Sequence, residues 1–320
     1  MKNMRLTLLG VLLWGLPVLA FAGDLLNHVP RRSAQAMRID FSTVNNLESF
    51  RNDALRDIVR QTGVADGKLD FETIQSMINE ILIVTPILTE DYTLIFVKTK
   101  VTEEVFCKKL TELTGSRQVS VKIAGRTEKR ITAAARGFPD GSLKTRTFAF
   151  AFLDRDVVVF AKDTLAPYWN YRLYGLMKPD RAALQVPKAL VAGFLEMSSD
   201  FLMENPMLPP FQRVTYALAS GPAESLRINA VAECPGEEAA KQVQIQLQQY
   251  VMVGGIFLNQ AAPELMQEWM NAVKVRSEGP KVLLTADFSK RFLTQLAETS
   301  GKMAENIGRP ASSAEGKEKR

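Results

Sequence analysis

The chain has 320 residues, of which 46% are hydrophobic and 23% charged, and its formal net charge is +5 at pH 7. This length allows one large domain or two of about 150 residues, so a hydrophobic core can form without disulfides or structural metals. The charge is too small to indicate a polyanionic partner such as nucleic acid.

Residues 1–22 have the pattern of a cleaved secretory signal. Lys2 and Arg5 precede an apolar run from Leu6 to Leu19, and Ala20-Phe21-Ala22 supplies the small residues of a cleavage site. The run is shorter than the roughly 18 residues of a membrane-spanning helix, and no cysteine follows the site. We therefore expect a periplasmic or secreted mature chain, cut after Ala22 and lacking a transmembrane span. Its net charge falls to +3, because the leader carries two basic residues and no acidic one.

The first half of the mature chain opens with a predicted strand near residues 37–41 and two predicted helices, 46–61 and 71–82. A β-rich run then ends at Thr102, a suitable N-cap, with Glu103 and Glu104 in the first turn of the next helix. Alternating apolar residues predict further strands and a hairpin around 154–156. A helix begins near residue 164, and a connector follows at 178–187.

The second half begins with a helix predicted over 188–203. Two strands, two helices, a hairpin and a last helix follow, predicted over 213–220, 226–233, 237–258, 263–272, 273–288 and 290–304. Residues 92–177 show nearly the same order of elements. This correspondence predicts a divergent internal duplication.

We therefore predict an α+β protein of two related halves, each an antiparallel sheet covered by helices. The first half spans 23–186 and the second 187–304. Residues 305–320 offer almost no apolar side chains to bury, so we expect a disordered tail.

Two motifs punctuate the second half: an "EEAA" helix start at Glu237 to Ala240, and a "V-x-V-x-x-x-G-x-x-V-x-L" hairpin at Val273 to Leu283. In these motifs, and in its order of elements, the chain resembles an uncharacterised family of exported two-repeat proteins from Gram-negative bacteria. The resemblance covers most of the mature chain. It implies a fold and a compartment but no activity.

Few residues are suited to catalysis or metal binding. His28 is the single histidine of the sequence, and its place near the mature N-terminus favours a mobile surface position. Zinc sites need three or four ligands, and the sequence has only His28, Cys107 and Cys234 as the usual types. Neither G-x-x-x-x-G-K nor G-x-G-x-x-G occurs, so no cofactor is predicted.

Residues 116–146 hold eight basic side chains against two acidic ones. Two interpretations stay open: edge strands protected by charge against mispairing, or one exposed face that binds anions. Nucleic acid is not expected in this compartment, and the segment lacks the aromatics that stack on bases. The candidate anion-binding residues are Arg117, Lys122, Arg126, Lys129, Arg130, Arg136, Lys144 and Arg146.

The segment "PYWNYRLYGLM" concentrates four aromatic side chains on one predicted helix. One face would enter the core, and the other would offer rings to a sugar or a partner; plain packing is the competing interpretation. The candidate surface aromatics are Tyr168, Trp169, Tyr171 and Tyr174.

Cys107 and Cys234 lie near the starts of corresponding helices in the two predicted halves. An exported chain meets an oxidising environment, which favours a disulfide between them. They also fit as small buried apolar residues, which is how free cysteine usually behaves. The sequence leaves both possibilities open.

These observations favour a non-catalytic binding or envelope-structural protein. The rival is a hydrolase that acts on an envelope polymer with carboxylates alone, as glycosidases do, although no spaced pair of carboxylates stands out. The candidate partners are an acidic envelope polymer, a lipid surface or another protein.

Overall fold

The computed structural model describes residues 25–30, 33–41, 76–86, 92–123, 125–136, 143–173, 181–198, 202–203, 210–221, 225–296 and 299. The predicted signal sequence, the predicted helix 46–61, Tyr174 and the tail 305–320 lie outside the described residues. The described chain combines helices with one large antiparallel sheet, which confirms the α+β class.

Twelve strands form that sheet. In spatial order it reads β11-β12-β10-β9-β8-β1-β2-β3-β7-β6-β5-β4. The strands are β1 Gln35–Asp40, β2 Ile78–Thr85, β3 Leu94–Thr99, β4 Val119–Ile123, β5 Arg126–Arg136, β6 Leu143–Phe152, β7 Val157–Lys162, β8 Ala189–Glu196, β9 Arg213–Ser220, β10 Leu226–Glu233, β11 Val273–Glu278 and β12 Lys281–Phe288.

A short 3-10 helix spans Leu25–His28, and residues 290–296 are helical. The described α-helices are α1 Glu103–Thr114, α2 Ala166–Leu173, α3 Arg181–Leu184, α4 Glu237–Ala261 and α5 Pro263–Ala272. The first begins directly after Thr102, as predicted, and ends at Gly115, whose positive φ of 66° suits a glycine. None of the helices in the described ranges combines the length and hydropathy that a membrane span requires.

The prediction that each half has its own sheet is wrong. β1 and β8 pair antiparallel, so strands from both predicted halves belong to one continuous sheet. An open sheet edge is a row of unpaired backbone groups that another strand can satisfy. Hydrophobic patterns show which residues form strands, but not which edges meet.

Two segments predicted to be helical contain strands. Ile78–Thr85 forms β2 where a helix was expected to run to residue 82, and Ala189–Glu196 forms β8 within the predicted helix 188–203. Six consecutive residues of β8 are buried, because both faces of the strand are covered. Such a strand reads as a continuous apolar run, which periodicity does not separate from a buried helix.

The sheet has two faces, which we call the front and the back. Ala36, Leu82 and Phe96 point to the front, where the 3-10 helix, α2 and α3 cover them. On the back, α1 covers the sheet near Val158 and Phe150, and α4 and α5 cover β10, β11 and β12. Alternate residues of a strand therefore enter different cores.

The junction of β1 and β8 leaves no room at Gly193. A β-carbon at this residue would lie 2.6 Å from the backbone oxygen of Ala36 and 2.5 Å from the hydroxyl of Tyr216. We expect Gly193→Ala to lower the free energy of unfolding by about 1–3 kcal/mol, as overpacking does. Urea unfolding measures this effect. Gly236→Ala, where the β-carbon has no atom within 4 Å, is the control, and equal losses for both variants would contradict the steric argument.

Candidate functional site

A buried cluster of charges lies at the ends of β1 and β2. The Nε of Arg38 lies 2.8 Å from Glu80 Oε1, and its Nη2 lies 3.8 Å from Asp40 Oδ2. Its Nη1 also donates a hydrogen bond to the backbone oxygen of Leu184 in α3. Glu80 is fully buried, and Arg38 and Asp40 are nearly so. One guanidinium thus links two strands and a helix.

Asp40 and Glu80 are the pair that a carboxylate-dependent hydrolase would need. They are register partners on adjacent strands, which brings their β-carbons to about 5 Å. A general acid must keep a proton and must reach its substrate. Both carboxylates instead face the same arginine from within the core, which favours a structural role.

The expectation of a mobile surface histidine is wrong. His28 is 7% exposed, and its Nε2 lies 3.1 Å from Asp154 Oδ2 in the turn between β6 and β7. Its backbone oxygen accepts a hydrogen bond from the hydroxyl of Tyr168. Leu25 and Leu26, just before it, are fully buried in the front core. The start of the described chain is therefore packed against the sheet.

The eight basic residues do not form one exposed face. Successive side chains of β5 point to opposite faces of the sheet. Arg126 and Arg130, at even-numbered positions, therefore point to the front, and Lys129, at an odd-numbered position, points to the back. Lys122 and Arg146 are exposed, and Arg117 is exposed in the connection before β4. Arg136 and Lys144 belong to β5 and β6, and their side chains lie outside the described set. Anion binding by these residues stays a prediction.

The two front-facing arginines, Arg126 and Arg130, have partners within the fold. The buried carboxylate of Glu128 lies 2.8 Å from Arg130 Nη2 and accepts a hydrogen bond from the backbone N–H of Leu165, at the start of α2. Arg126 lies over the ring of Trp169, 4.7 Å from its centroid, a cation–π geometry. These contacts attach α2 to β5, so the two arginines have structural partners.

Lys129 has partners on α1. Its ammonium lies 2.5 Å from Glu103 Oε1 and 3.4 Å from Cys107 Sγ. Burial lowers the pKa of Lys129, but hydrogen bonds with Glu103 and Cys107 outweigh that effect and raise it above the usual value. Lys129 therefore holds its positive charge against α1.

The predicted aromatic surface is wrong for the two residues whose side chains are described. Tyr168 is fully buried and Trp169 is 6% exposed, and both belong to the front core. The side chain of Tyr171 and all of Tyr174 lie outside the described set. For Tyr168 and Trp169 the packing interpretation is confirmed.

Cys107 and Cys234 are both free thiols, so of the two possibilities that the sequence left open, the disulfide is wrong. Cys107 is half-buried near Phe106 on α1, and Cys234 is buried beneath α4 next to Val243. The elements that carry them follow β3 and β10, which are five positions apart in the sheet. At about 4.8 Å per strand this is about 24 Å, whereas a disulfide needs α-carbons within about 7 Å.

The sequence did not indicate the exposed apolar surface on α4, which we call the α4 face. Its side chains are between 39% and 64% exposed. The opposite side of the helix already carries an apolar stripe, including Ala240, Val243 and Leu247, which packs on the sheet. The α4 face consists of Ile245, Tyr250, Met252, Val253, Ile256 and Phe257, with Met270 of α5 beside them.

Contacts with α5 fix the position of α4. The indole N–H of Trp269 donates to the backbone oxygen of Val251, and a β-carbon on Gly254 would lie 3.2 Å from the same ring. A β-carbon on Gly255 would lie 3.1 Å from the sulfur of Met270. The glycine pair therefore serves close packing, and the α4 face lies on the side of the helix away from the sheet.

The described residues include no group of three or more His, Cys, Asp or Glu side chains that could hold a metal ion. Two shallow hollows of this part of the surface have volumes of about 290 and 330 Å³. The first includes Arg227, Asn229 and Asp287, and the second includes Glu264 and Glu268. None of the predicted site residues lines either hollow.

Neither a family model nor a curated protein matches this sequence. Among solved structures, crystal form III of TP0453 is similar, with a TM-score of 0.51 and 10% sequence identity. The similarity covers 88% of this chain and 99% of TP0453. At this identity it concerns the fold alone, and the resemblance to exported two-repeat proteins stays a prediction.

Removing one charge from the buried cluster of Arg38, Asp40 and Glu80 should destabilise the fold more than removing one charge of an exposed ion pair. We expect Glu80→Gln to lower the free energy of unfolding by about 3 kcal/mol, because it removes one partner of a buried ion pair. The control is Asp287→Asn in the exposed Arg227–Asp287 pair, where the expected cost is under about 1 kcal/mol. Urea unfolding measures the free energy of unfolding of both variants. If Glu80→Gln is as stable as Asp287→Asn, the structural role of the buried charge cluster is contradicted.

The two thiols should differ in reactivity. Burial raises the pKa of the Cys234 thiol, so less of the reactive thiolate forms at neutral pH. We expect iodoacetamide to modify half-buried Cys107 well before Cys234 in the folded protein, and both after unfolding without reductant. Mass spectrometry follows the adducts. In Cys107→Ser the remaining thiol, Cys234, should react slowly with iodoacetamide. A single mass consistent with a disulfide would contradict the assignment.

Proposed function

We propose that this chain is an exported, non-catalytic protein whose function is binding or envelope structure. The observation that carries this proposal is the α4 face. Isolated exposed apolar residues are ordinary, but a contiguous patch of several hundred Å² indicates an interaction surface. The described residues leave about half of the area of these side chains open to solvent.

The area of the patch supports the proposal. Taking about 200 Å², the area of an aromatic side chain, as an upper value for each of the seven residues, exposures of 39% to 64% leave at most roughly 700 Å² open to solvent. The largest apolar patch on a monomeric protein is about 300–600 Å², and one side of a standard protein interface buries about 800 Å². The α4 face is therefore large enough for a specific partner.

The arrangement of strands supports the duplication that belongs to this proposal. In the sheet, β1-β2-β3-β7-β6 and β8-β9-β10-β12-β11 have the same order. In each set a helix, α1 or α4, follows the third strand along the chain. The antiparallel pairing of β1 with β8 relates the two sets by an approximate twofold axis normal to the sheet.

A carboxylate-dependent hydrolase is the second candidate, and the adjacency of Asp40 and Glu80 is the observation in its favour. It ranks lower because Arg38 engages both carboxylates in the core. The hydrolase would become the leading candidate if the protein released soluble fragments from isolated cell-wall polymer and a folded Asp40→Asn variant did not.

Photo-crosslinking tests the binding function directly. We expect a benzophenone amino acid at Met252 to give a covalent product in cells, because this side chain lies in the α4 face. The same probe at Met203, which is 72% exposed outside that face, is the matched control. Any product specific to position 252, whether protein or lipid, supports the proposal, and equal yields at both positions contradict it.

A further inference from the structure

We propose that the partner of the α4 face is a second copy of this chain, so that two α4 helices pack antiparallel across a twofold axis. This inference rests on the proposed binding function and specifies its partner. It follows from the charge, the spacing and the area of the face.

The absence of charge in the sequence favours self-association. From Gln242 to Ala261 the helix carries no acidic or basic residue, and its polar side chains there are glutamine, asparagine and one tyrosine. Two copies can meet without like-charge repulsion, which would otherwise cost several kcal/mol. An anionic lipid surface would instead be favoured by flanking lysine and arginine, whereas Glu264 and Glu268 occupy the adjoining helix.

The spacing of residues along α4 makes the face self-complementary. Ile245, Gln249, Met252 and Ile256 follow at intervals of four, three and four, the spacing of a helix–helix seam. At 3.6 residues per turn, the three apolar members project within about 40° of one another. A twofold axis between positions 249 and 252 places Ile245 of one copy against Ile256 of the other, twice.

Antiparallel packing also suits the helix dipoles. The N-terminal end of each α4, with its partial positive charge, lies beside the C-terminal end of the other. The two Ile245–Ile256 contacts are separated along the helix by about 17 Å. In an interface with twofold symmetry each favourable contact occurs twice, so a short seam provides a substantial contact.

The area is consistent with a stable dimer. Complete burial of the α4 face would contribute at most about 700 Å² from each copy and about 1,400 Å² in total, against about 1,200–2,000 Å² for specific interfaces. Met252, in the seam, is of a residue type enriched in interface cores. Tyr250 and Phe257 project about 120–140° away from the seam, so they flank the contact. The glutamines at positions 248 and 249 are exposed beside the apolar residues and can supply polar contacts.

The first experiment measures mass in solution. We expect sedimentation equilibrium of the mature chain at micromolar concentration to give twice the monomer mass. Met252→Lys should weaken dimerisation by at least about 100-fold, because each dimer then buries two charges in its seam. Met203→Lys adds the same charge at an exposed methionine outside the face and should leave the dimer intact. A monomeric wild-type chain, or a Met252→Lys variant that dimerises as the wild type does, overturns the proposal.

The second experiment tests the register. Ile245→Lys and Ile256→Glu should each disrupt the homodimer, since each introduces two copies of an unpaired charge. Mixed together they should form a heterodimer, because the new lysine of one chain meets the new glutamate of the other. Circular dichroism confirms that both variants are folded. If the variants stay monomeric when mixed, the antiparallel register is wrong.

The same measurements separate this inference from the binding function. A wild-type monomer that crosslinks through Met252 to another protein overturns the second-copy assignment and leaves the binding function standing. Binding of the monomer to phosphatidylcholine or phosphatidylglycerol vesicles, lost in Met252→Lys, assigns the face to a lipid surface. A wild-type monomer with neither crosslink nor vesicle binding overturns both.

Discussion

The pairing of β1 with β8 is the contact on which the rest of the architecture depends. Backbone hydrogen bonds between these two central strands join two sets of strands into one sheet. An unpaired edge at either strand would leave its N–H and C=O groups to be satisfied by water or by another chain. Gly193 permits the close approach, since a side chain there would collide with β1 and β9.

This junction sets the distance between corresponding parts of the chain. Helices α1 and α4 follow strands that occupy matching positions in the two sets. A twofold relation about the β1–β8 pair moves such positions apart, because each lies outward from the axis. Cys107 and Cys234 therefore belong to separate clusters, although their places in the sequence correspond. Correspondence between two places in the sequence does not indicate their proximity in space.

The elements predicted well were those in which one local signal was sufficient. Helix α5 has the predicted bounds because Pro263 suits the first turn of a helix, and the β11–β12 hairpin follows from alternation around a glycine turn. The failure at β8 has a physical cause: six consecutive residues are buried, so the strand lacks the alternation that identifies one. The burial of β2 does alternate, but its sequence is continuously apolar from Ile81 to Val84, and its buried positions include Glu80.

The site predictions failed where long-range contacts decide the role of a side chain. Glu128 and Glu80 lie among ordinary charged residues of the sequence, and only the fold buries each against an arginine. The exposed position expected for His28 reflected its place near the chain end, whereas the 3-10 helix packs into the front core. Charge density along the sequence likewise does not indicate a surface when consecutive strand residues point to opposite faces.

The α4 helix is the element whose composition exceeds the needs of its fold. A helix packed on a sheet requires one apolar stripe, and Ala240, Val243 and Leu247 provide it. The side chains of the second apolar stripe, from Ile245 to Phe257, are between 48% and 64% exposed. Its exposure to water weakens solubility, and packing among the described residues does not account for it. The first stripe packs on the sheet, and the proposed contact with a second copy would cover the second.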